Sequence, residues 1–419
     1  MPIKLFKVRL EEKIIRISTG KFCLKNFSLS WDYFLTVFLI FISFIYGFIV
    51  KIRVLFYRKN FLKIKKLPCI VISIGNITAG GSGKTPMAIY LAEALKKIGL
   101  KPVVLSRGYR GGMENGTGVA GDGSAVLSTS GDAGDEPHMM ARRCSFPVVV
   151  GKDRFKTGMM AIKLFNPDII ILDDGFQHIQ LQRDIDLVLL DFKAPFGNGR
   201  LLPAGRLREF PDEISRRADA VIFTRSKWIE PRWNGSVNEM KNNMTARYKS
   251  EMPKDHRKIR AMGKPCFYTR HKPFLFFFKK HGHTTMPDNG RDGLNGYSLD
   301  ELGGKEAILF SGIADNGAFK RTVEKLNIQV KDHLEFMDHY RYNKQDIESI
   351  IKHGKESGAD LIITTEKDYA RLCDEIIDWE MDMAVIGIDI DWSVNGGKYD
   401  TEFICFIKNR LHFLSPELI

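Results

Sequence analysis

Cys69-Ile70-Val71-Ile72-Ser73-Ile74-Gly75-Asn76-Ile77-Thr78-Ala79-Gly80-Gly81-Ser82-Gly83-Lys84-Thr85-Pro86 joins an apolar run to a glycine-rich turn. A buried strand that runs into such a turn, with a helical pattern after it, is a phosphate cradle. The cradle residues are Thr78, Ala79, Gly80, Gly81, Ser82, Gly83, Lys84 and Thr85. Its backbone N–H groups close around an anion, Lys84 reaches the β- and γ-phosphates, and the Thr85 hydroxyl ligates Mg²⁺. The helix beginning near Lys84 adds its positive end. The usual spacing wants glycine at position 78, where this chain has Thr78, so the loop requires a negative φ there. The bland alternative is a glycine-rich turn with no ligand.

The chain has 419 residues, enough for two domains with real cores, and a net charge of +13. A balance that basic suits nucleic acid, anionic lipid or a polyanionic substrate. Six cysteines without CxxC spacing argue against a zinc site or a disulfide framework. The charge is unevenly spread. From Tyr33 to Val50 eighteen residues carry none, and Lys51, Arg53, Arg58, Lys59, Lys63, Lys65 and Lys66 follow with no acidic residue among them. Eighteen residues is the short end for crossing a hydrocarbon core. The basic cluster follows the apolar run, unlike a signal peptide, and sets the nucleotide side as cytoplasmic. Composition does not separate a spanning helix from one lying in a single leaflet. The alternative is a buried core helix, though such helices rarely lack polar residues all round.

The expected organisation is an N-terminal extension (1–30), a membrane helix with basic flank (31–66) and a phosphate-loop kinase domain (67–230). A linker with insertion (231–303) and a smaller α/β domain (304–419) complete it. Apolar strands at 69–74, 102–105, 147–150, 168–172, 186–191 and 219–224 alternate with helical stretches at 84–98, 135–144 and 155–165. Alternation of this kind means βαβ units, an α/β fold and a mostly parallel sheet. From 231 to 303 the pattern breaks into polar, basic sequence around the aromatic run Phe274-Leu275-Phe276-Phe277-Phe278, expected as a linker with a strand or two and an insertion.

A phosphate loop needs an acidic strand end to orient Mg²⁺, and Ile169-Ile170-Ile171-Leu172-Asp173-Asp174 supplies one, with Gly175-Phe176-Gln177-His178 turning away. In Gly134-Asp135-Glu136-Pro137, Asp135 is either a helix cap or the acceptor of a hydroxyl proton; position alone favours the cap. Basic loops follow three strands: Ser106-Arg107-Gly108-Tyr109-Arg110, Lys152-Asp153-Arg154, and Asn198 to Glu209 with Arg200, Arg206 and Arg208. Arginines there grip phosphates bidentately. In Phe336-Met337-Asp338-His339 a loop histidine has an adjacent aspartate, and in Thr364-Thr365-Glu366-Lys367-Asp368 either threonine serves as a cap.

These segments, in this order, resemble the tetraacyldisaccharide 4′-kinase family, the lipid A 4′-kinases of Gram-negative bacteria. Gly75 to Pro86, Ser106 to Tyr109, Gly134 to Pro137, Asp173 to His178, Leu202 to Glu209, Phe310 to Ala314, Asp338-His339 and Thr365 to Asp368 carry the resemblance. It implies ATP- and Mg²⁺-dependent phosphorylation of the 4′-hydroxyl of a tetraacylated glucosamine disaccharide 1-phosphate. A membrane-associated helix would hold the enzyme at the cytoplasmic face of the inner membrane. The resemblance implies Asp135 as general base with His339, assisted by Lys84 and Arg208. Metal contacts are implied at Thr85, Asp173, Asp174 and Glu209, and substrate contacts at Asn76, Arg107, Arg154, Gln177 and His178. The expected partners are the lipid A disaccharide precursor and the membrane lipid surface, with no nucleic acid and no obligatory protein partner. Thr78 is usual in the family. Arg110 and Arg206 depart from it, each adding a cation where the family often has glycine and proline.

Two rivals have less behind them. A membrane-recruited partitioning-type ATPase would carry a lysine where this chain has Ala79. A nucleic-acid binder would show a recognisable module, and here the positive charge follows the apolar segment.

Overall fold

The computed structural model describes residues 31–226, 254–281, 298–372, 379–393 and 398–418. The expected extension at 1–30 and much of 231–303 lie outside the described residues.

Two sheets organise the chain. The first has eight strands in the order β3-β4-β2-β5-β1-β6-β7-β8, with β1 (Ile70–Gly75), β2 (Pro102–Ser106), β3 (Gly118–Gly121), β4 (Val148–Val150), β5 (Ile169–Asp173), β6 (Ile185–Asp191), β7 (Ala220–Thr224) and β8 (Cys266–Tyr268). All neighbours run parallel except β3 against β4. β2, β5 and β7 are buried along their whole length. That is why their sequences read as unbroken apolar runs, since helices cover both faces of a parallel sheet. Membrane helix aside, the expected strands and helices of this lobe appear with ends shifted by one residue or fewer.

The second sheet is β11-β10-β12-β13-β9, built from β9 (Arg270–Lys279), β10 (Glu306–Ser311), β11 (Gln329–Glu335), β12 (Leu361–Thr365) and β13 (Asp382–Asp391). Only β9 runs antiparallel, against β13. The stretch expected as a linker with a strand or two supplies one strand to each sheet. β8 belongs to the first sheet and β9 to the second, so Thr269 alone separates them. The aromatic run is the buried end of β9, with Leu275, Phe276, Phe277 and Phe278 all in the second core. Nor does the smaller lobe keep the whole C-terminal part. Phe403, Ile407 and Leu411 of the last helix, Lys398–Leu414, are buried in the first lobe's core beside Phe267. The chain therefore crosses between lobes twice.

Helix α1 (Trp31–Arg58) is the one helix among the described residues long and apolar enough to cross a membrane. It is not a core helix: Phe34, Phe38, Phe41, Phe44 and Phe48 are exposed, Phe44 by 74%. Its other face lies along the first lobe. Leu39 packs on Ala204, and Val54 and Tyr57 on Ile179. Ser43 donates through Oγ to the carbonyl of Leu202 at 3.1 Å, Tyr46 through its hydroxyl to that of Arg208 at 2.9 Å, and Arg58 pairs with Glu213 at 2.8 Å. Gly47 permits this approach, because a Cβ there would lie 2.7 Å from Leu201 Cδ1.

Candidate active site

The phosphate loop leaves β1 and enters α2 (Lys84–Lys97) through Gly83. Gly83 has φ 82°, a left-handed conformation that only glycine adopts freely. Thr78 is absent from the residues with positive φ, which meets the condition its side chain imposes. Arg206 and Arg208 clamp the loop from outside: Ala79 N donates to Arg206 O at 2.7 Å, and Arg208 N to Ile77 O at 2.7 Å. Asn76 is fully buried and donates through Nδ2 to Ser82 Oγ at 2.8 Å. It braces the loop from a buried position, and its Oδ1 has no partner.

The carboxyl ends of β1, β2 and β5 meet at one crevice, the place where open α/β sheets bind ligands. Asp173 ends β5, and the Thr85 hydroxyl donates to its Oδ2 at 3.3 Å. Burial, helped by the charge of Glu136, pushes the Asp173 carboxyl up to about 7. Its Oδ1 is buried with no partner. An orphaned carboxylate oxygen beside a threonine hydroxyl fits a hard divalent cation. No three His, Cys, Asp or Glu side chains converge on a common point among the described residues.

Asp174 is differently engaged. Arg208 Nη1 lies 2.9 Å from its Oδ2 and Lys84 Nζ 3.7 Å from its Oδ1. Burial raises this carboxyl, but Lys84 and Arg208 together hold it below its ordinary range. Gln177 bridges the loop and Arg208: its Nε2 donates to Asn76 O at 2.6 Å and its Oε1 accepts from Arg208 at 3.3 Å. Glu209, expected among the metal contacts, is buried with its Oε2 ion-paired to Arg217, which also holds Glu213, and its Oε1 left without a partner. Arg154, expected among the substrate contacts, has a buried guanidinium that donates to Gly151 O and, at 3.2 Å, to Asp173 O at the end of β5. Arg107 is half exposed and paired with Glu114 at 2.9 Å. His178 lies against Gln180, and burial together with Arg154 and Arg183 pushes it down to about 4.

Across the crevice stands α4 (Asp135–Arg143). Asp135 Oδ2 accepts from His339 Nδ1 at 2.9 Å, a contact spanning 204 residues of sequence. With the carboxylate ionised, Nδ1 carries the proton and fixes the tautomer. Burial raises Asp135, but the hydrogen bond from His339 and the charge of Arg371 outweigh it and hold the carboxyl below its usual range. His339 has φ 61°, a strained value for a non-glycine residue, held by its N–H on Gly312 O at 3.1 Å. Tyr109 closes over its ring, centroids 5.5 Å apart. Next to Asp135, Glu136 is paired with Lys367. Lys367 first, and then Lys84 from the phosphate loop, hold Glu136 below its ordinary range. The two halves of the site thus share one field.

Sequence reasoning missed Arg371, whose Nε is 2.8 Å from Asp135 Oδ2. Its signal was the three-residue spacing from Asp368, which puts both on one helical face. It also missed Arg217, which claims Glu209.

The family model for tetraacyldisaccharide-1-P 4′-kinase matches residues 35–402. A tetraacyldisaccharide 4′-kinase from Desulfatibacillum aliphaticivorans is 42% identical over 334 residues, 79% of this chain and 82% of the relative. One from Syntrophus aciditrophicus is 39% identical, covering 77% and 80%. Among solved structures, the "apo" form of LpxK from Aquifex aeolicus in complex with ATP superposes with a TM-score of 0.60 at 31% identity. That match covers 88% of this chain and 99% of the other.

Proposed function

Since the chain belongs to the tetraacyldisaccharide-1-P 4′-kinase family, we propose that the Asp135–His339 pair is the proton acceptor in its reaction. The enzyme is an ATP-dependent lipid kinase that phosphorylates the 4′-hydroxyl of a tetraacylated disaccharide 1-phosphate in lipid A biosynthesis. The sugar oxygen forms a bond to the γ-phosphorus, the bond from that phosphorus to the β–γ bridging oxygen breaks, and ADP leaves with the electron pair. The hydroxyl proton passes to Asp135.

Lys84 and the loop N–H groups neutralise the transferring group. Asp174 keeps Lys84 and Arg208 aimed at the crevice until phosphate replaces it. Thr85 and Asp173 would hold Mg²⁺, which when bound offsets charge on the phosphates. The observation that carries the reading is the 2.9 Å contact between Asp135 and His339 beside the phosphate loop, since a mere cap needs no histidine from another lobe.

The acceptor dictates the location. A four-chain lipid does not leave the bilayer, at about 0.8 kcal/mol per exposed CH₂. The exposed face of α1 would sit in the headgroup boundary at the cytoplasmic side of the inner membrane, and the basic flank adds about 1 kcal/mol per charge on anionic lipid. The test is transfer of labelled γ-phosphate from ATP to the disaccharide precursor in mixed micelles. Full activity in Asp135→Asn would remove the proposed acceptor. Equal activity on micellar lipid without residues 31–66 would remove the proposed anchor.

A further inference from the structure

We infer that Arg371 is a positioning residue for the proton acceptor, pinning Asp135 so that its second carboxylate oxygen, Oδ1, meets the sugar hydroxyl. This rests on the acceptor role proposed above.

Both donors from the second lobe land on the same oxygen: His339 Nδ1 at 2.9 Å and Arg371 Nε at 2.8 Å from Oδ2. Oδ1 receives neither, which leaves it as the oxygen to accept the sugar hydroxyl. A carboxylate on one hydrogen bond can swing about its χ2; one gripped by two donors from different segments cannot.

Arg371 is itself immobilised. Its side chain is 3% exposed. Its Nη1 donates to Gly312 O at 2.9 Å and to Asp368 Oδ1 at 2.7 Å. Asp368 is fully buried and also accepts from Gly312 N at 3.0 Å, from the Tyr342 hydroxyl at 2.9 Å and from Thr365. The carbonyl of Gly312 is the common reference, because it accepts from His339 N as well as from Arg371. One peptide unit at the end of β10 therefore sets both of the groups that hold the acceptor. A Cβ on residue 312 would come within 2.9 Å of Met337 O, so the close approach needs glycine. Anchoring of this kind matters because an error of about 1 Å in a reacting group costs about 10²-fold in rate.

The charged groups facing Asp135 are Glu136 on its own helix, with Lys367 upon it, Asp338 and His339 from the 336–342 loop, and Asp368 with Arg371 from helix α10 (Glu366–Ala370) and the turn after it. Among them Arg371 and His339 alone touch its carboxylate. The experiment measures phosphate transfer and thermal melting for Arg371→Gln and Arg371→Lys, with Asp135→Asn alongside. Arg371→Lys keeps a cation on Asp368 and therefore keeps the fold. The expected result is a kcat about 10²-fold lower in Arg371→Gln and about tenfold lower in Arg371→Lys, with KM for ATP unchanged. The acid limb of kcat moves to higher pH in Arg371→Lys, since a carboxyl that has lost a hydrogen-bonded guanidinium titrates higher. Full kcat in Arg371→Lys, or a loss confined to KM for ATP, overturns the inference. If Asp135→Asn is fully active, the acceptor role itself falls; if it is inactive while both Arg371 variants are normal, only the positioning role falls.

Discussion

The phosphate loop and the proposed acceptor pair face one crevice, yet they are made in opposite ways. The loop takes its cradle, its lysine and its metal-side hydroxyl from residues 78–85, and its geometry follows from a strand, glycines and a helix start that are contiguous in sequence. The acceptor pair takes Asp135 from one lobe, and His339 and Arg371 from the other, separated by 204 and 236 residues. Contiguity lets local backbone preference set most of a site's geometry, with Arg206 and Arg208 bracing the loop from outside. A site built from distant segments is rigid only through buried anchors, and here these are Gly312 and Asp368.

That contrast can be broken experimentally. Lys84→Ala removes the cation the loop exists to place, and a loss of about 10³-fold in kcat is expected in the micellar transfer assay. A residual rate near normal would mean that Arg206 or Arg208 carries the charge instead. Asp135→Asn and His339→Ala should each cost about 10²- to 10⁴-fold in kcat, and the double variant little more than the worse single one, because the residues act as a unit. Losses that multiply would show two independent groups.

A gentler probe is Gly47→Leu. It pushes α1 off Leu201 and Phe210, with overpacking of about 1–3 kcal/mol. The expected reading is a lower melting temperature together with reduced activity, since the same segment carries Arg208. Reduced melting with unchanged activity would separate the helix from the loop.

The smallest effect concerns acid stability. Burial, with Arg225 adding to it, pushes His271 down to about 4, and His178 is pushed down likewise. Between about pH 4 and 6.5 the unfolded chain then binds more protons than the folded one, so stability falls as pH drops through that window and is level above it. Thermal melts of His271→Gln should show a shallower fall between pH 6.5 and 5 than the unsubstituted protein; an equal slope would clear His271 of the effect.

Much of the first lobe was legible because its strands are buried on both faces. Continuous apolar runs such as Ile169 to Leu172 announce themselves, and their carboxyl ends mark where Asp173 and the loop must lie. The second lobe was harder to read. β9 carries its aromatics in polar surroundings, and β11 keeps an exposed polar face, so neither gives a continuous run. Arg154 shows the other limit: sequence placed it correctly after a strand, but whether a guanidinium points into a crevice or under it depends on which carbonyls surround it.

By itself the sequence determined the α/β fold of the first lobe, the phosphate cradle with Lys84 and Thr85, the acidic strand end and the apolar helix. Each of these is written in local periodicity and backbone preference. Tertiary structure alone decided what holds each carboxylate: Thr85 holds one oxygen of Asp173 and Arg217 one oxygen of Glu209, each leaving the other oxygen unpartnered, while His339 and Arg371 grip Asp135. Such ownership is set by distances of about 3 Å between atoms hundreds of residues apart, and no pattern along the chain encodes a distance across it.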